Sequence, residues 1–247
     1  PVAASAATQK NGWVKEKNGY CYYVKGKKVQ NQLKKIKGKT YYLGSDGVRK
    51  TGWYTVKTKS KGKTVYKAMK FNGSGAYTGK SQTVNAKLIK KTDSIIKSLK
   101  IGTGALTTEQ KEAALKKIFT YTKKYGYGRV MGLNNKTFNK NKVADCAYKM
   151  MSKKKGNCYY HASAFAVLAK RATGLPVRVC WGTSRVFNAK KAQEHAWVEI
   201  KLADGSWHIY DPNGARFSSR KDVETYGQKA SALKSVYKAA KTSELYL

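Results

Sequence analysis

"KKKGNCYYHASAFAVLAKRATGLPVRV", residues 153–179, is the stretch on which the reading of this chain turns. Three lysines and a Gly-Asn pair lead to Cys158, and an Ala-rich apolar run with no breaker follows. Gly174 closes the run and Pro176 stands just beyond it, which is the stop signal of a helix. The spacing predicts a helix whose first turn carries Cys158. A thiol there feels the positive end of the helix dipole, which favours the thiolate and therefore a nucleophile. The competing reading is a small buried cysteine that happens to begin a helix.

A nucleophilic cysteine needs a base to take its proton and a third group to orient that base. The chain has three histidines. His161 lies one turn along the same helix and reads as a core histidine bonded to backbone. His195 in "EHAWVEIKL" and His208 in "SWHIYDPN" sit in alternating, Trp- and Ile-rich runs that read as strands, with "ADGS" as the hairpin turn between them. A three-residue loop with Gly205 in the left-handed position pairs Leu202 with Ser206. Counting back, Trp197 falls opposite Asp211, with His195 one diagonal step away on the same face. His208 then points to the other face as a partly exposed strand residue. A two-residue Asp-Gly turn would instead separate His195 from Asp211. A zinc site built on Cys158 and His161 lacks a second pair at ligand spacing, so neither metal nor cofactor is expected.

"GNCYYHASAFAVLAKRATGLPVRVCWG", "EHAWVEI" and "WHIYDPN" resemble the three motifs of the transglutaminase-like superfamily, most strongly over residues 153–213. The resemblance implies a papain-like helix-plus-antiparallel-sheet domain with Cys158 as nucleophile, His195 as general base and acid, and Asp211 orienting the imidazole. It also implies an oxyanion hole built on the Cys158 backbone N–H. Tyr148, Asn157 and Trp197 are the candidate oxyanion or auxiliary residues. Such a site performs acyl transfer on a carboxamide or peptide bond, and hydrolysis is favoured over lysine cross-linking.

Outward from this segment, the first third of the chain repeats itself. Trp13, Leu33 and Trp53 are evenly spaced, and Tyr22-Tyr23 recurs as Tyr41-Tyr42. The units "NGYCYYVKGKKVQNQL", "KGKTYYLGSDGVRKTGW" and a stretched "KGKTVYKAMKFNGSGAYTG" each read as a β-hairpin, with turns expected at Ser45-Asp46-Gly47 and Asn72-Gly73-Ser74-Gly75. A lone hairpin cannot bury its aromatic face, so the copies must stack. These units resemble the cell-wall-binding repeats of secreted Gram-positive proteins, the choline- and glucan-binding type. The resemblance implies binding of wall polymer or glycan through Trp13, Tyr22, Tyr23, Tyr41, Tyr42 and Trp53. Leu33 replaces one tryptophan, which argues against choline. Between repeats and nucleophile, Val84, Leu88, Ile95, Ile96 and Leu99 share one helical face, Thr107 with Gln110 forms a capping box before a second amphipathic helix, and residues 134–142 read as a loop.

The chain is thus expected to be α+β. Residues 1–9 read as the remnant of a secretory leader, 10–79 as the repeat module and 80–247 as the catalytic domain. No apolar run is long enough to span a membrane. The net charge of +38, from 51 Lys+Arg against 13 Asp+Glu, favours anionic partners. The charge is dispersed and no nucleic-acid motif accompanies it, so a specific nucleic acid is not expected and an anionic wall polymer is. Cys21, Cys146 and Cys180 read as small buried thiols rather than a disulfide framework. The functional expectation is an extracellular, wall-associated cysteine enzyme acting on peptides or proteins at the cell surface. Its rival is a catalytically inactive glycan-binding surface protein on the same scaffold.

Overall fold

Lysine-glycine pairs set the geometry of the N-terminal strands. In Lys25-Gly26, Lys37-Gly38 and Lys61-Gly62 both residues have positive φ, near 47° and 77°, 46° and 80°, and 48° and 76°. Two central residues of this kind make a type I′ turn, whose twist matches that of the flanking strands. The computed structural model describes residues 9–247, so the expected leader remnant lies, apart from Gln9, outside the described residues. The strands are β1 (Gly12–Glu16), β2 (Gly19–Val24), β3 (Lys27–Lys28), β4 (Gln32–Ile36), β5 (Lys39–Leu43), β6 (Gly52–Ser60), β7 (Lys63–Phe71) and β8 (Tyr77–Val84). They form three small antiparallel sheets, β1-β2-β3, β4-β5 and β6-β7-β8.

The pair β4-β5 is closed by Lys37-Gly38, a turn not read from the sequence, while Ser45-Asp46-Gly47 turns as expected after the Tyr41-Tyr42 run. That turn sends the chain back so that Val48 bridges Cys21 and Arg49 bridges Leu43. Asp46 accepts from the Val48 amide at 3.1 Å, so the turn stitches one hairpin to the one before it. Asn72–Gly75 does connect two strands, β7 and β8. The expected boundary after residue 79 falls inside β8, which is hydrogen-bonded to β7 along its length.

The remaining elements are α1 (Ala86–Ser98), α2 (Thr108–Thr122), β9 (Gly126–Tyr127), α3 (Val143–Lys153), β10 (Lys155–Gly156), α4 (Cys158–Thr173), β11 (Val177–Ser184), β12 (Gln193–Lys201), β13 (Trp207–Tyr210), α5 (Pro212–Phe217), β14 (Tyr226–Lys229) and β15 (Tyr237–Glu244). The Thr107–Gln110 capping box forms at α2. The five-stranded sheet runs β14-β13-β12-β11-β15. Against it lies α4, buried on every side from Cys158 to Lys170. Ala162, Ala164, Ala166 and Ala169 let the surrounding elements approach closely, and Phe165 packs edge-on to Phe119 and stacked on Tyr210. A second, smaller core of Cys180, Val186, Trp197, Ile209 and Tyr237 fills the opposite face of the sheet.

Hairpins and helical domain meet at Arg171 near the end of α4. Its guanidinium donates to both oxygens of Asp93 at 2.8 and 3.1 Å and to the Thr55 carbonyl at 2.8 Å. All four cysteines are buried and free. Among the described residues no helix is long and apolar enough to cross a membrane.

Candidate active site

The position of Cys158 is prepared by the residues before it. The parallel bridge of β9 and β10 pairs Gly156 with Tyr127. A Cβ at Gly156 would fall 2.4 Å from the Tyr160 ring, so only glycine lets the chain turn into α4 here. Asn157 is the N-cap, its side chain accepting from the Tyr160 amide at 3.4 Å. Cys158 follows as the first helical residue, 8% exposed, its backbone N–H among the groups a helix leaves without an internal partner.

His195 and Asp211 come together through strand register. Leu202 bonds to Ser206, Lys201 lies opposite Trp207 and Val198 opposite Tyr210. Gly205 adopts φ 77°, which makes the loop odd and puts Trp197 level with Asp211 at the end of β13. From one diagonal step away, His195 Nε2 meets Asp211 Oδ2 at 2.7 Å. Trp197 lies over the imidazole with centroids 6.2 Å apart at 22°, and Phe187 presents its edge at 5.1 Å. Trp197 itself donates to Glu199 at 3.2 Å.

Asp211 has no free oxygen. Oδ1 accepts from the Gly214 amide at 2.8 Å, making the carboxylate the N-cap of α5, and Oδ2 accepts a second bond from the Tyr237 hydroxyl at 2.9 Å. Pro212 at the first helical position starts α5 immediately after it. Neither Tyr237 nor Gly214 was singled out in the sequence. The run Asp-Pro-Asn-Gly carries the N-cap signal that points to Gly214, whereas Tyr237 arrives on an edge strand from a distant segment with no local mark.

Burial alone would keep His195 neutral, but the Asp211 carboxylate outweighs it and holds the imidazole well above its ordinary range, with Cys158 adding in the same direction. Burial likewise opposes ionisation of Asp211. The His195 charge, the Gly214 amide and the Tyr237 hydroxyl outweigh it and hold the carboxyl below its usual range. With Nε2 committed to Asp211, the ring nitrogen left over is Nδ1, which is buried and has no hydrogen-bond partner among the described residues.

The remaining candidates separate. His161 is fully buried with Nε2 3.2 Å from the Gly126 carbonyl. His208 is not partly exposed as expected: it is 9% exposed, held by the Gly227 carbonyl at 2.6 Å and by Asp204. Tyr148 packs on α3 against the main core. Tyr127 and Tyr159 both have their phenols pushed up, by burial first and then by the charge of the Cys158 thiol. Tyr127 pairs with Gly156 across the β9-β10 bridge. It is 53% exposed and lines a cleft of about 290 Å³ with Arg129, Met131, Leu133 and Asn157. The Tyr159 hydroxyl donates to Asn135 at 2.7 Å, and Asn135 donates to the Gly182 carbonyl at 2.6 Å. Among the described residues no group of three or more His, Cys, Asp or Glu side chains converges to hold a metal ion.

In the hairpins, Trp13 packs edge-on to Tyr22 at 5.1 Å and to Tyr41 at 4.9 Å, joining successive repeats. Tyr42 stacks on Tyr54 and Trp53 lies against Tyr246. Tyr23 belongs to the hairpin interior: it is 7% exposed, donates to Glu16 and sits in a cluster with Cys21 and Val48. A buried ring with its hydroxyl engaged offers no face to a ligand.

No curated protein matches the chain. Among solved structures, similarity is found to the modular Cpl-1 endolysin complexed with a peptidoglycan analogue, at 28% identity over 28% of this chain and 18% of that one, TM-score 0.21. The choline binding protein F of Streptococcus pneumoniae shares 26% over 28% of each chain, TM-score 0.17. The periplasmic domain of TgpA from Pseudomonas aeruginosa shares 14% over 84% of this chain and 76% of that one, TM-score 0.30. This chain thus spans less than a fifth of the endolysin's length. The family model of the transglutaminase-like superfamily matches residues 99–212, a span that begins at the end of α1 and takes in Cys158, His195 and Asp211. Behind its hairpin repeats, the chain therefore carries a domain of the transglutaminase-like superfamily.

Proposed function

We propose that the protein is an extracellular, wall-associated cysteine enzyme that transfers the acyl group of a peptide or protein amide, with water as the favoured acceptor. One observation carries this reading. The His195 imidazole is anchored to Asp211 at 2.7 Å through Nε2, leaving Nδ1 as the nitrogen available to a thiol at the start of α4.

In the forward step the Cys158 thiolate forms a C–S bond to the amide carbonyl carbon, and the carbonyl π pair moves to oxygen. The Cys158 backbone N–H faces that developing charge, and Tyr127, which lines the adjacent cleft, replaces Tyr148 as the candidate second donor. The intermediate collapses as the C–N bond breaks, and the Nδ1 proton of His195 passes to the leaving amine. Water then attacks the thioester, giving its proton to His195, and the C–S bond breaks to return thiolate and free acid. Asp211 stays ionised throughout and keeps the imidazole oriented. Tyr127, Met131 and Phe217 stand open to solvent, and Tyr127 reaches both the cleft and Phe217, so water has access to the acyl-enzyme. The hairpins and the charge of +38 account for retention on an anionic polymer.

The test is mass spectrometry of the intact protein after incubation with glutamine-containing and wall-derived peptides. A thioester adduct on Cys158, lost in Cys158→Ala and in His195→Ala, is the expected result. Cleavage that survives in Cys158→Ala would overturn the assignment. A Cys158 that neither acylates nor alkylates faster than an unfolded thiol below pH 7 would leave the domain an inactive scaffold for the repeats.

A further inference from the structure

A cavity of about 680 Å³ opens between β6, α1, the residues 101–106 and the C-terminal turn of α4. This is within the range of small-ligand sites, roughly 300–1,000 Å³. It lies at the far end of α4 from Cys158, about 18 Å along the helix at 1.5 Å per residue.

Its walls are basic. Arg49, Lys50, Lys97, Lys111, Lys170 and Arg171 line it against a single acidic side chain, Asp93. Asp93 is fully engaged by the Arg171 guanidinium. The nearby Asp46 is engaged by the amides of Val48 and Ala105 at 3.1 and 2.8 Å. Among the described residues none of the four lysines has an ion-pair partner. Lys170 is 7% exposed and donates only to the carbonyls of Gly174 and Leu175, each at 3.3 Å. Burial depresses the basicity of Lys50 as well. Cations withdrawn from water without carboxylates are costly unless an anion joins them.

The aromatic rings here already carry the chain's own cations. Arg49 lies over Tyr20 at 4.3 Å and over Trp13 at 5.6 Å. Lys50 and Arg171 lie over Tyr54 at 4.9 and 5.4 Å. These faces are closed to a quaternary ammonium by occupancy and by like charge. Trp53 is half-buried at the cavity wall, with Tyr246 packed beside it, and offers a flat apolar surface to a ring with its own apolar face.

We propose that this cleft binds an anionic saccharide, its carboxylate or phosphate groups on Lys50, Lys97 and Lys111 and one sugar ring against Trp53. This deepens the polymer-binding half of the function proposed above and rests on it. Wall polymer seated here would be gripped jointly by hairpins and helical domain, with Cys158 held at a fixed distance from the strand.

Isothermal titration of the full chain tests it with four probes. These are a galacturonate hexamer, a glycosylated glycerol-phosphate polymer, neutral chitohexaose, and polyphosphate as an anion without sugar. The anionic saccharides are expected to bind at least tenfold more tightly than either control, and the stronger of the two names the anion. Lys50→Met and the exposed Lys97→Met should each weaken binding about tenfold with an unchanged melting curve. Lys140→Met, a remote surface change of equal charge, should stay within twofold. Should Lys50→Met fail to fold, Lys97→Met alone carries the comparison. If anionic saccharides bind but the cavity variants behave like Lys140→Met, this site is wrong while polymer binding stands. If no saccharide binds, both fall.

Discussion

Replacing Asp211 by asparagine changes one atom and forces a choice that the structure makes costly either way. The carboxylate accepts three hydrogen bonds, from His195 and Tyr237 on Oδ2 and from Gly214 on Oδ1. If the amide oxygen stays toward His195, the NH₂ group faces the Gly214 N–H, donor against donor at about 2.8 Å, and α5 loses its cap. Such a loss costs about 0.5–2 kcal/mol. If the oxygen stays on Gly214, the NH₂ group faces His195 Nε2 at 2.7 Å and forces the other tautomer, placing the only ring proton on Nδ1 without a charge. Neither orientation retains the carboxylate that keeps His195 protonated. The assay is iodoacetamide alkylation of Cys158 between pH 5.5 and 9, followed by peptide mass spectrometry. An unassisted thiol titrates near pH 8.5, so its thiolate falls roughly 300-fold by pH 6. A thiolate paired with imidazolium loses far less, though its intrinsic nucleophilicity is lower. The parent protein should keep a substantial rate at pH 6, and Asp211→Asn should lose roughly 10–100-fold there while converging with the parent near pH 9. Superimposable profiles would refute the claim that Asp211 sustains a charged imidazole beside Cys158.

Gly214→Ala should act on the same carboxylate from behind, because its Cβ would lie 2.3 Å from Asp211 Oδ2 and 3.0 Å from Val186; the same alkylation assay should show the pH 6 loss, and an unchanged profile would mean the α5 turn yields. Stability should follow the ion pair with two signs. Asp211 is held low, so its contribution is complete above the unfolded carboxyl range near 4 and disappears as pH falls further; His195 is held high, so its contribution is complete below about 6.5 and disappears as pH rises through its raised value. The melting-temperature gap between parent and His195→Ala should therefore be widest between about pH 4 and 6.5 and narrow on the alkaline side. Arg171→Met removes the two bonds to Asp93 and the one to Thr55, at about 1–3 kcal/mol; limited proteolysis should then cut between hairpins and helices faster than in the parent. Phe165→Ala, at the centre of α4 between Phe119 and Tyr210, should cost about 3–5 kcal/mol in urea unfolding.

Much of this architecture was legible locally. The helix from Cys158 to its glycine stop, the capping box before α2, and the odd loop that aligns His195 with Asp211 all depend on neighbours within a few residues, where backbone chemistry leaves few choices. The hairpins were legible as a period. The turns at Ser45-Asp46-Gly47 and Asn72–Gly75 carry the usual Asp, Asn and Gly signals, whereas the recurring Lys-Gly pairs need a lysine at positive φ, a conformation the residue type does not advertise.

The elements that carry Cys158, His195 and Asp211, and the strand parity that aligns the last two, follow from the chain's local chemistry. What surrounds those residues follows from the fold. Tyr237 reaches Asp211 from β15, an edge strand with β11 and β12 between it and β13, so the contact is set by the folded sheet rather than by any local pattern. Tyr127 is brought to the entry of α4 by a two-residue bridge that pins it beside Gly156. The basic cavity gathers cationic side chains from Arg49 to Arg171, which no local pattern brings together. Local chemistry operates over a few bonds and can be read along the chain. The convergence of distant side chains is a product of how apolar surfaces on separate elements are buried together, and that sum exists only in the folded molecule.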